Sequence, residues 1–128
     1  MTPRRVLVID DEFAISAALS VRLKAVGHEV TFASDGTTGL QAVASTRPDV
    51  ILLDIRLPDI DGYEVCTKLK QDHDLAPIPV IFVSANVQDP ARKAAFDVGA
   101  EAFIAKPYEA KEVLAAIEAA TGSKPVSI

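Results

Sequence analysis

The sequence predicts an α/β fold in which helices cover both faces of a five-stranded parallel sheet. Short runs rich in Val, Ile and Leu alternate five times with segments of helical periodicity along the 128 residues. The middle run, residues 49–53 (DVILL), has four consecutive apolar residues, which is typical of a parallel strand buried on both faces. Right-handed crossovers restrict the strand order, and five such units favour the doubly wound, flavodoxin-like order 2-1-3-4-5.

The predicted strands are short runs rich in β-branched and other apolar residues. They cover residues 4–9, 29–33, 49–53, 79–83 and 102–105. The predicted helices lie between and after them, at residues 12–26, 35–45, 61–70, 89–99 and 108–120.

Local signals support the ends of several helices. Gly27 follows the first helix as a stop signal, and Ile15, Leu19, Leu23 and Val26 are expected on the inner face of that helix. Asp61 is a predicted N-cap with Glu64 three residues later, as in a capping box. Asp89 and Pro90 are a predicted N-cap and first helical residue for the fourth helix.

Composition excludes several classes of protein. With 49% hydrophobic and 24% charged residues, the chain has enough apolar material for a core, so whole-chain disorder is excluded. A net charge of −5 argues against direct binding to nucleic acid or to an anionic membrane. Cys66 has no second cysteine to pair with. No apolar stretch has the length of a signal peptide or membrane span, so we expect a cytoplasmic protein.

Acidic, hydroxyl and amine groups follow four of the predicted strands. The first strand ends at Asp10 and Asp11, the third at Asp54, the fourth at Ser84 and the fifth at Lys106. Because ligands of such sheets bind beyond the carboxyl ends of the strands, these side chains are expected to share a site. Close carboxylates repel by on the order of 1–4 kcal/mol a pair, which a divalent cation and Lys106 can offset. Helix capping is an alternative role for Asp11, but it does not account for the whole set.

The sequence resembles the receiver domains of bacterial two-component response regulators, such as the chemotaxis regulator. Any one of the shared motifs is weak evidence, but four in order at the family's spacing are specific. The resemblance implies a receiver domain over residues 4–121 and a flexible tail over residues 122–128. The motifs are VLVIDDE (6–12), DVILLDIRLPDIDGYE (49–64), PVIFVSA (79–85) and GAEAFIAKP (99–107).

The resemblance implies the roles of the acidic residues and of their metal ion. Asp54 would be the phosphoacceptor. Asp10, Asp11 and Asp54, with the backbone carbonyl of Arg56, would bind Mg²⁺, for which Mn²⁺ is a substitute.

The same resemblance implies the roles of the residues around the phosphoryl group. Ser84, the backbone of Ala85 and Lys106 would bind the phosphoryl oxygens, and Phe103 would be the switch aromatic. The Lys106–Pro107 peptide bond would be cis. Arg56 and Asn86 would modulate the lifetime of the phosphorylated form.

The expected function is that of a phosphorylation-switched signalling domain and not of an enzyme. The expected donor is a phosphohistidine on a sensor histidine kinase or a phosphotransfer protein. Phosphorylation would switch the surface of the fourth helix, fifth strand and fifth helix toward a downstream protein or a linked output domain. The face of the fourth and fifth helices is also a candidate homodimer interface. His28 and His73 are expected at the surface, and Cys66 is expected to be a packing residue.

Three other functions fit parts of the pattern. A receiver-like adaptor that is never phosphorylated would have the same fold. A haloacid-dehalogenase-type phosphatase also uses a strand-end Asp with Mg²⁺, but it needs a second Asp where this chain has Arg56. A flavodoxin-like cofactor binder needs a loop after the first strand that accepts phosphate, whereas Asp10 and Asp11 repel it.

Overall fold

Five parallel strands form one sheet in the order β2-β1-β3-β4-β5 in a computed structural model that describes residues 2–122. The predicted fold class and strand order are therefore confirmed. Strand ends differ from the predicted ones by a single residue at most. The strands are β1 (Arg5–Ile9), β2 (Glu29–Ala33), β3 (Val50–Asp54), β4 (Val80–Ser84) and β5 (Ala102–Ala105).

Each strand is followed by one helix, as the alternating sequence pattern predicts. The helices divide between the two faces of the sheet. They are α1 (Phe13–Ala25), α2 (Gly36–Thr46), α3 (Gly62–Gln71), α4 (Asp89–Asp97) and α5 (Ala110–Thr121).

The sheet separates two apolar cores because the side chains of each strand alternate between its faces. On one face Leu7 and Ile51 pack with residues of α2, α3 and α4. On the other face Val6 and Leu52 pack with residues of α1 and α5. Every residue of β3 and β4 is buried, as the continuous apolar run of β3 predicts. The residues at the carboxyl ends of β3 and β4 are therefore held by strands that are buried along their whole length.

Helix α1 buries only part of the predicted face. Leu19 and Leu23 are buried as expected, but Ser16 and Ser20 complete that face, while Ile15 and Val26 are 38% and 39% exposed. The prediction was wrong for Ile15 and Val26 because apolar residues occur on every side of this helix, so their spacing does not select one face.

Two of the three helix N-caps considered from the sequence differ from those in the structure. Asp61 accepts a hydrogen bond from the backbone N–H of Glu64 at 2.9 Å, which confirms the cap of α3. Helix α4 is instead capped at Gln88, so Asp89 is its first residue and Pro90 the second. Glu12, without a side-chain capping bond, occupies the N-cap position of α1, and the capping role considered for Asp11 is wrong.

His28 is buried, at 3% exposure, and its predicted surface location is wrong. The residue lies immediately before β2, where its Nδ1 accepts a hydrogen bond from the backbone N–H of Arg4 at 2.9 Å. Burial and the charge of Arg4 lower the pKa of His28, and Glu118 opposes them. A contact across 24 residues leaves no local sequence pattern, which is why the sequence did not reveal it.

Other expectations concern Cys66, His73, the membrane and the tail. Cys66 is fully buried in the core, as predicted, and His73 is exposed. Within residues 2–122 no helix has both the length and the apolar character needed to cross a membrane. Apart from Gly122, the predicted tail lies outside the described residues.

Candidate functional site

A cleft of about 600 Å³ opens at the carboxyl ends of the central strands. This is where β1 and β3 are neighbours while their crossover connections run to opposite faces of the sheet, the usual ligand site of such folds. The polar strand-end residues predicted from the sequence are brought together here. The cleft is lined by Asp11, Glu12, Asp54, Ile55, Arg56, Tyr63, Ser84, Ala85, Asn86 and Lys106.

Lys106 lies among three carboxylates. Its Nζ donates to Asp54 Oδ2 at 3.0 Å, to Asp10 Oδ2 at 2.9 Å and to Glu12 Oε1 at 2.6 Å. The side chains of Asp10, Asp54 and Lys106 are each less than one-tenth exposed, whereas that of Glu12 is half exposed. One buried cation therefore faces three anions across elements that are up to 96 residues apart.

Burial and the neighbouring charges shift the pKa values of Asp54 and Lys106. Burial raises the pKa of Asp54, and the charge of Asp10 adds to the rise, although Lys106 and the N–H of Arg56 oppose it. Burial acts to lower the pKa of Lys106, but its bonds to Glu12, Asp10 and Asp54 outweigh that effect and raise it. Lys106 is thus a permanent cation, and it stabilises the Asp54 carboxylate only in part.

The acidic residues fit a hard divalent cation. One carboxylate oxygen each from Asp10, Glu12 and Asp54 lies within 4.8 Å of the others. Oxygen ligands of this kind are preferred by Mg²⁺, Mn²⁺ and Ca²⁺. Asp11 is exposed and lines the same cleft, next to this cluster in sequence. Asp54 carries a buried negative charge that Lys106 neutralises only in part, so a second cation suits the donor set.

Local backbone geometry positions Asp10 and Asp54. Asp10 Oδ1 accepts a hydrogen bond from the N–H of Glu12 at 2.8 Å, which fixes the turn between β1 and α1. Behind Asp54, a Cβ on Gly62 would lie 2.4 Å from the Asp54 carbonyl oxygen, so only glycine allows this close approach. Of the two adjacent motif residues, Asp61 thus caps α3, and Gly62 allows the close contact with the backbone of Asp54.

Ser84 and its two successors form the cleft wall at the end of β4. Ser84 is buried, and its Oγ accepts a hydrogen bond from the N–H of Asn86 at 3.1 Å. Ala85 and Asn86 are exposed at the cleft, and Asn86 Oδ1 accepts from the N–H of Gln88. The Ser84 hydroxyl hydrogen therefore remains available to donate to a group in the cleft.

Phe103 and Tyr63 connect the region of the cleft to α4. The Arg92 guanidinium of α4 lies 5.0 Å from the centroid of the half-buried Phe103 ring. The Tyr63 hydroxyl donates to the Ala91 carbonyl at 3.1 Å, and the Tyr63 ring packs on Phe82. Both aromatic residues thus contact the first half of α4.

The Lys106–Pro107 peptide bond is cis. Two further participants in the site were missed by the sequence analysis, namely Glu12 as a partner of Lys106 and Tyr63 as a lining residue. Glu12 directly follows the two predicted ligands, and this adjacency was the available signal. Nothing local distinguishes Tyr63 from an ordinary helix residue.

Comparison with known proteins identifies the family. The response regulator receiver domain family matches residues 6–118, most of the chain. The chain belongs to the response regulator receiver family. A curated relative, the DNA-binding dual master transcriptional regulator RpaA of Synechocystis, is 39% identical over 115 residues, which are 90% of this receiver and 48% of the relative. The receiver thus spans about half the length of the curated relatives that it matches.

Solved structures agree with this assignment. A Chloroflexus aurantiacus chain named as a response regulator has a TM-score of 0.88 at 30% identity, covering 93% of this receiver and 98% of that chain. The receiver domain of the sensor histidine kinase PA1611 from Pseudomonas aeruginosa has a TM-score of 0.87 at 25% identity, covering 95% of this receiver and 100% of that chain. The latter structure has a magnesium ion coordinated in its active-site cleft.

Proposed function

We propose that the receiver, over residues 4–121, accepts a phosphoryl group on Asp54 and uses the resulting change to signal to a partner. The observation that carries this proposal is the position of the buried Asp54 carboxylate, 3.0 Å from the Lys106 ammonium in an acidic, open cleft. The donor is a phosphohistidine on a sensor histidine kinase or phosphotransfer protein. Acetyl phosphate can replace it.

The transfer requires one bond to form and one to break. An Asp54 oxygen attacks phosphorus as the bond from phosphorus to the imidazole nitrogen breaks, and the electron pair returns to that nitrogen, which takes a proton from solvent. The product is an acyl phosphate. The main obstacle is the approach of an anionic phosphoryl group to an anionic cluster, so positive charge in the cleft determines the rate. Lys106 supplies part of it.

Mg²⁺, or Mn²⁺ in its place, is proposed to supply the remaining positive charge. Asp10, Asp11 and Asp54 with the Arg56 carbonyl are the proposed ligands, and Glu12 joins the candidates because it lies in the described carboxylate cluster. When bound, the ion neutralises charge on the phosphoryl oxygens and orients them for in-line attack. The likeness to the magnesium-bound PA1611 receiver supports this assignment.

The proposed switch runs from Ser84 to α4. After transfer, Ser84 and the N–H of Ala85 donate to phosphoryl oxygens, and Phe103 moves into the space beside Ser84, which alters the surface of α4, β5 and α5. Only Ala91 and Ala95 of α4 are buried, so the helix has a small apolar anchor and can shift at low cost. Arg56 and Asn86 line the cleft mouth and are proposed to control water access to the phosphoryl group.

The partners are proposed from the relatives and from composition. The half of the relatives' length that lies outside the match suggests a linked output domain, and a separate downstream protein is the other route. The net charge of −5 supports a receiver that does not itself bind nucleic acid or membrane. A cytoplasmic location and a homodimer through the face of α4 and α5 complete the proposal.

Phosphorylation of the intact protein tests the proposal. Incubation with Mg²⁺ and acetyl phosphate should add the mass of one phosphoryl group, and the adduct should be stable in acid and labile in base. Asp54→Ala should abolish the adduct. Asp49→Ala is the matched control, because Asp49 directly precedes β3 and so lies at the end of this strand opposite to Asp54. There its carboxylate accepts a hydrogen bond from the N–H of Arg5.

An adduct that persists in Asp54→Ala, or no adduct on wild type with either acetyl phosphate or a phosphorylated kinase, would overturn the proposal. The second outcome would favour the adaptor that is never phosphorylated. Steady release of phosphate from a phosphate monoester, which is not a donor to Asp54 in this proposal, would instead favour the phosphatase of the haloacid dehalogenase type.

A further inference from the structure

The loop between β3 and α3, residues 55–61, begins directly after Asp54 and is closed at its base. The N–H of Gly62 donates to the Ile55 carbonyl at 2.7 Å, and the N–H of Arg56 donates to Asp54 Oδ1 at 3.3 Å. The position of the Arg56 backbone, beside the phosphoacceptor, therefore depends on how this loop is held.

Asp59, at the far side of this loop, binds the first turn of another helix. Its Oδ1 accepts from the N–H of Gly36 at 2.7 Å, and its Oδ2 accepts from the N–H of Thr37 at 2.9 Å and from the Thr37 hydroxyl at 2.6 Å. These bonds lower the pKa of Asp59 strongly, the Thr37 hydroxyl contributing most, so the residue is a carboxylate at neutral pH. One side chain thus attaches the loop to α2 by three charge-assisted bonds.

The neighbouring residue makes an apolar contact at the same place. A Cβ on Gly36 would lie 2.4 Å from Ile60 Cγ1, so the glycine allows the loop to lie directly on the helix. The attachment therefore rests on two independent observations, the bonds of Asp59 and the close approach of Ile60 to Gly36.

Capping of α2 does not explain Asp59. Asp35 is the N-cap of this helix, and its side chain already accepts from the N–H of Thr38 at 2.7 Å. Asp35 is local to the helix, whereas Asp59 reaches it from the loop that follows the phosphoacceptor. The second carboxylate holds the loop in addition to the helix.

We propose that Asp59 is a positioning residue that holds the β3–α3 loop against α2 and thereby keeps the Arg56 backbone in place for the metal-assisted step at Asp54. This inference rests on the proposed function for its consequence, but the attachment itself exists without metal. Residues that support metal ligands typically alter metal affinity ten- to a hundredfold when they are removed. Because Asp59 lies three positions from Arg56 in the loop, we expect an effect near the lower limit.

The test compares Asp59→Ala with Asp35→Ala, which removes the same type of side chain from the same helix terminus but leaves the loop untouched. Two quantities are measured on the full chain. One is the hydrogen-exchange rate of the Gly62 amide without metal, and the other is the Kd for Mg²⁺ alone by calorimetry. Asp59→Ala should accelerate exchange and raise Kd by roughly tenfold each. Asp35→Ala should change either by less than about twofold, although both variants lose helix-capping stability.

Two further variants test the chemistry of the attachment. Asp59→Asn keeps one acceptor oxygen, but its amide NH₂ replaces the other and faces hydrogen-bond donors of Gly36 and Thr37. The Kd of this variant for Mg²⁺ should therefore lie between those of wild type and Asp59→Ala. Thr37→Val removes only the hydroxyl bond and should produce a smaller change in the same direction.

Equal changes in Asp59→Ala and Asp35→Ala, or unchanged exchange at Gly62 in Asp59→Ala, would overturn the positioning role. If wild type binds no Mg²⁺ and accepts no phosphoryl group, the proposed function fails. Exchange at Gly62 in the metal-free protein then still decides whether Asp59 holds the loop.

Discussion

Replacing Asp54 with asparagine is expected to raise the free energy of unfolding of the metal-free protein by about 1–2 kcal/mol. The substitution removes a buried negative charge from the cluster of Asp10, Glu12 and Lys106 and keeps nearly the same volume. A carbonyl oxygen remains to accept the bond from Lys106.

The magnitude follows from opposing Coulomb energies. At an effective dielectric constant of 20, attraction between Lys106 and Asp54 at 3.0 Å is about 5.5 kcal/mol. Repulsion from Asp10, with carboxylate oxygens within 4.8 Å, is about 3.5 kcal/mol, and that from the half-exposed Glu12 is about 1 kcal/mol because of solvent screening. Burial of the carboxylate adds a penalty of several kcal/mol. The charged form is therefore disfavoured overall, in agreement with the raised pKa of Asp54.

Urea unfolding of wild type and Asp54→Asn in EDTA at pH 7 measures the difference, and the melting temperature should rise by roughly 3–8 °C. Since the folded-state pKa of Asp54 is raised, the folded protein retains this proton to a higher pH than the unfolded chain does. The advantage of the asparagine variant is thus fully present above the folded-state pKa and decreases as pH falls through it.

Two results would refute this reasoning. A less stable asparagine variant would show that the attraction of Lys106 exceeds the combined repulsion and burial. An advantage that stays constant as the pH falls to about 4, near the ordinary Asp pKa, would show that the charge of Asp54 is not its source. Asp49→Asn, which changes an aspartate at the opposite end of β3, is the control for any general effect of charge.

The remaining predictions concern Lys106, Gly62 and His28. Lys106→Met should lower the free energy of unfolding by roughly 3 kcal/mol, because Asp10 and Asp54 would stay buried without their cation. Urea unfolding without Mg²⁺ measures this, and an unchanged free energy of unfolding would contradict the prediction. Gly62→Ala should cost about 2 kcal/mol because its Cβ would lie 2.4 Å from the Asp54 carbonyl oxygen, and thermal unfolding measures this; unchanged stability would exclude the contact. Burial and the charge of Arg4 lower the pKa of His28 in the folded state, and Glu118 opposes them. Neutral His28 therefore contributes to stability above the unfolded-chain pKa of about 6.5, and this contribution is lost as the pH falls below that value. His28→Asn should show a shallower fall in stability between about pH 7 and 5, and a slope equal to that of wild type would count against the buried neutral histidine.

The contrast between Asp61 and His28 shows where sequence analysis succeeded and failed. Asp61 caps a helix through a residue three positions away, a relation that any local pattern contains. His28 is buried and binds the backbone N–H of Arg4, 24 residues away, and nothing beside His28 in the sequence indicates this contact. The prediction for the buried face of α1 failed for a different reason. The apolar residues of this helix occur on all sides, and only the packing of Leu19 and Leu23 selects the buried face.

The sequence by itself determined the five βα units, the strand order and the presence of an acidic site, because strand composition, crossover handedness and strand-end residues are local or topological properties. Only the tertiary structure decided which groups meet. Lys106 binds Asp54 and Asp10 across 52 and 96 residues, and Asp59 reaches Thr37 across 22. Such contacts depend on how whole elements pack, and the energy of each depends on burial and on the other charges nearby, which a sequence pattern does not contain.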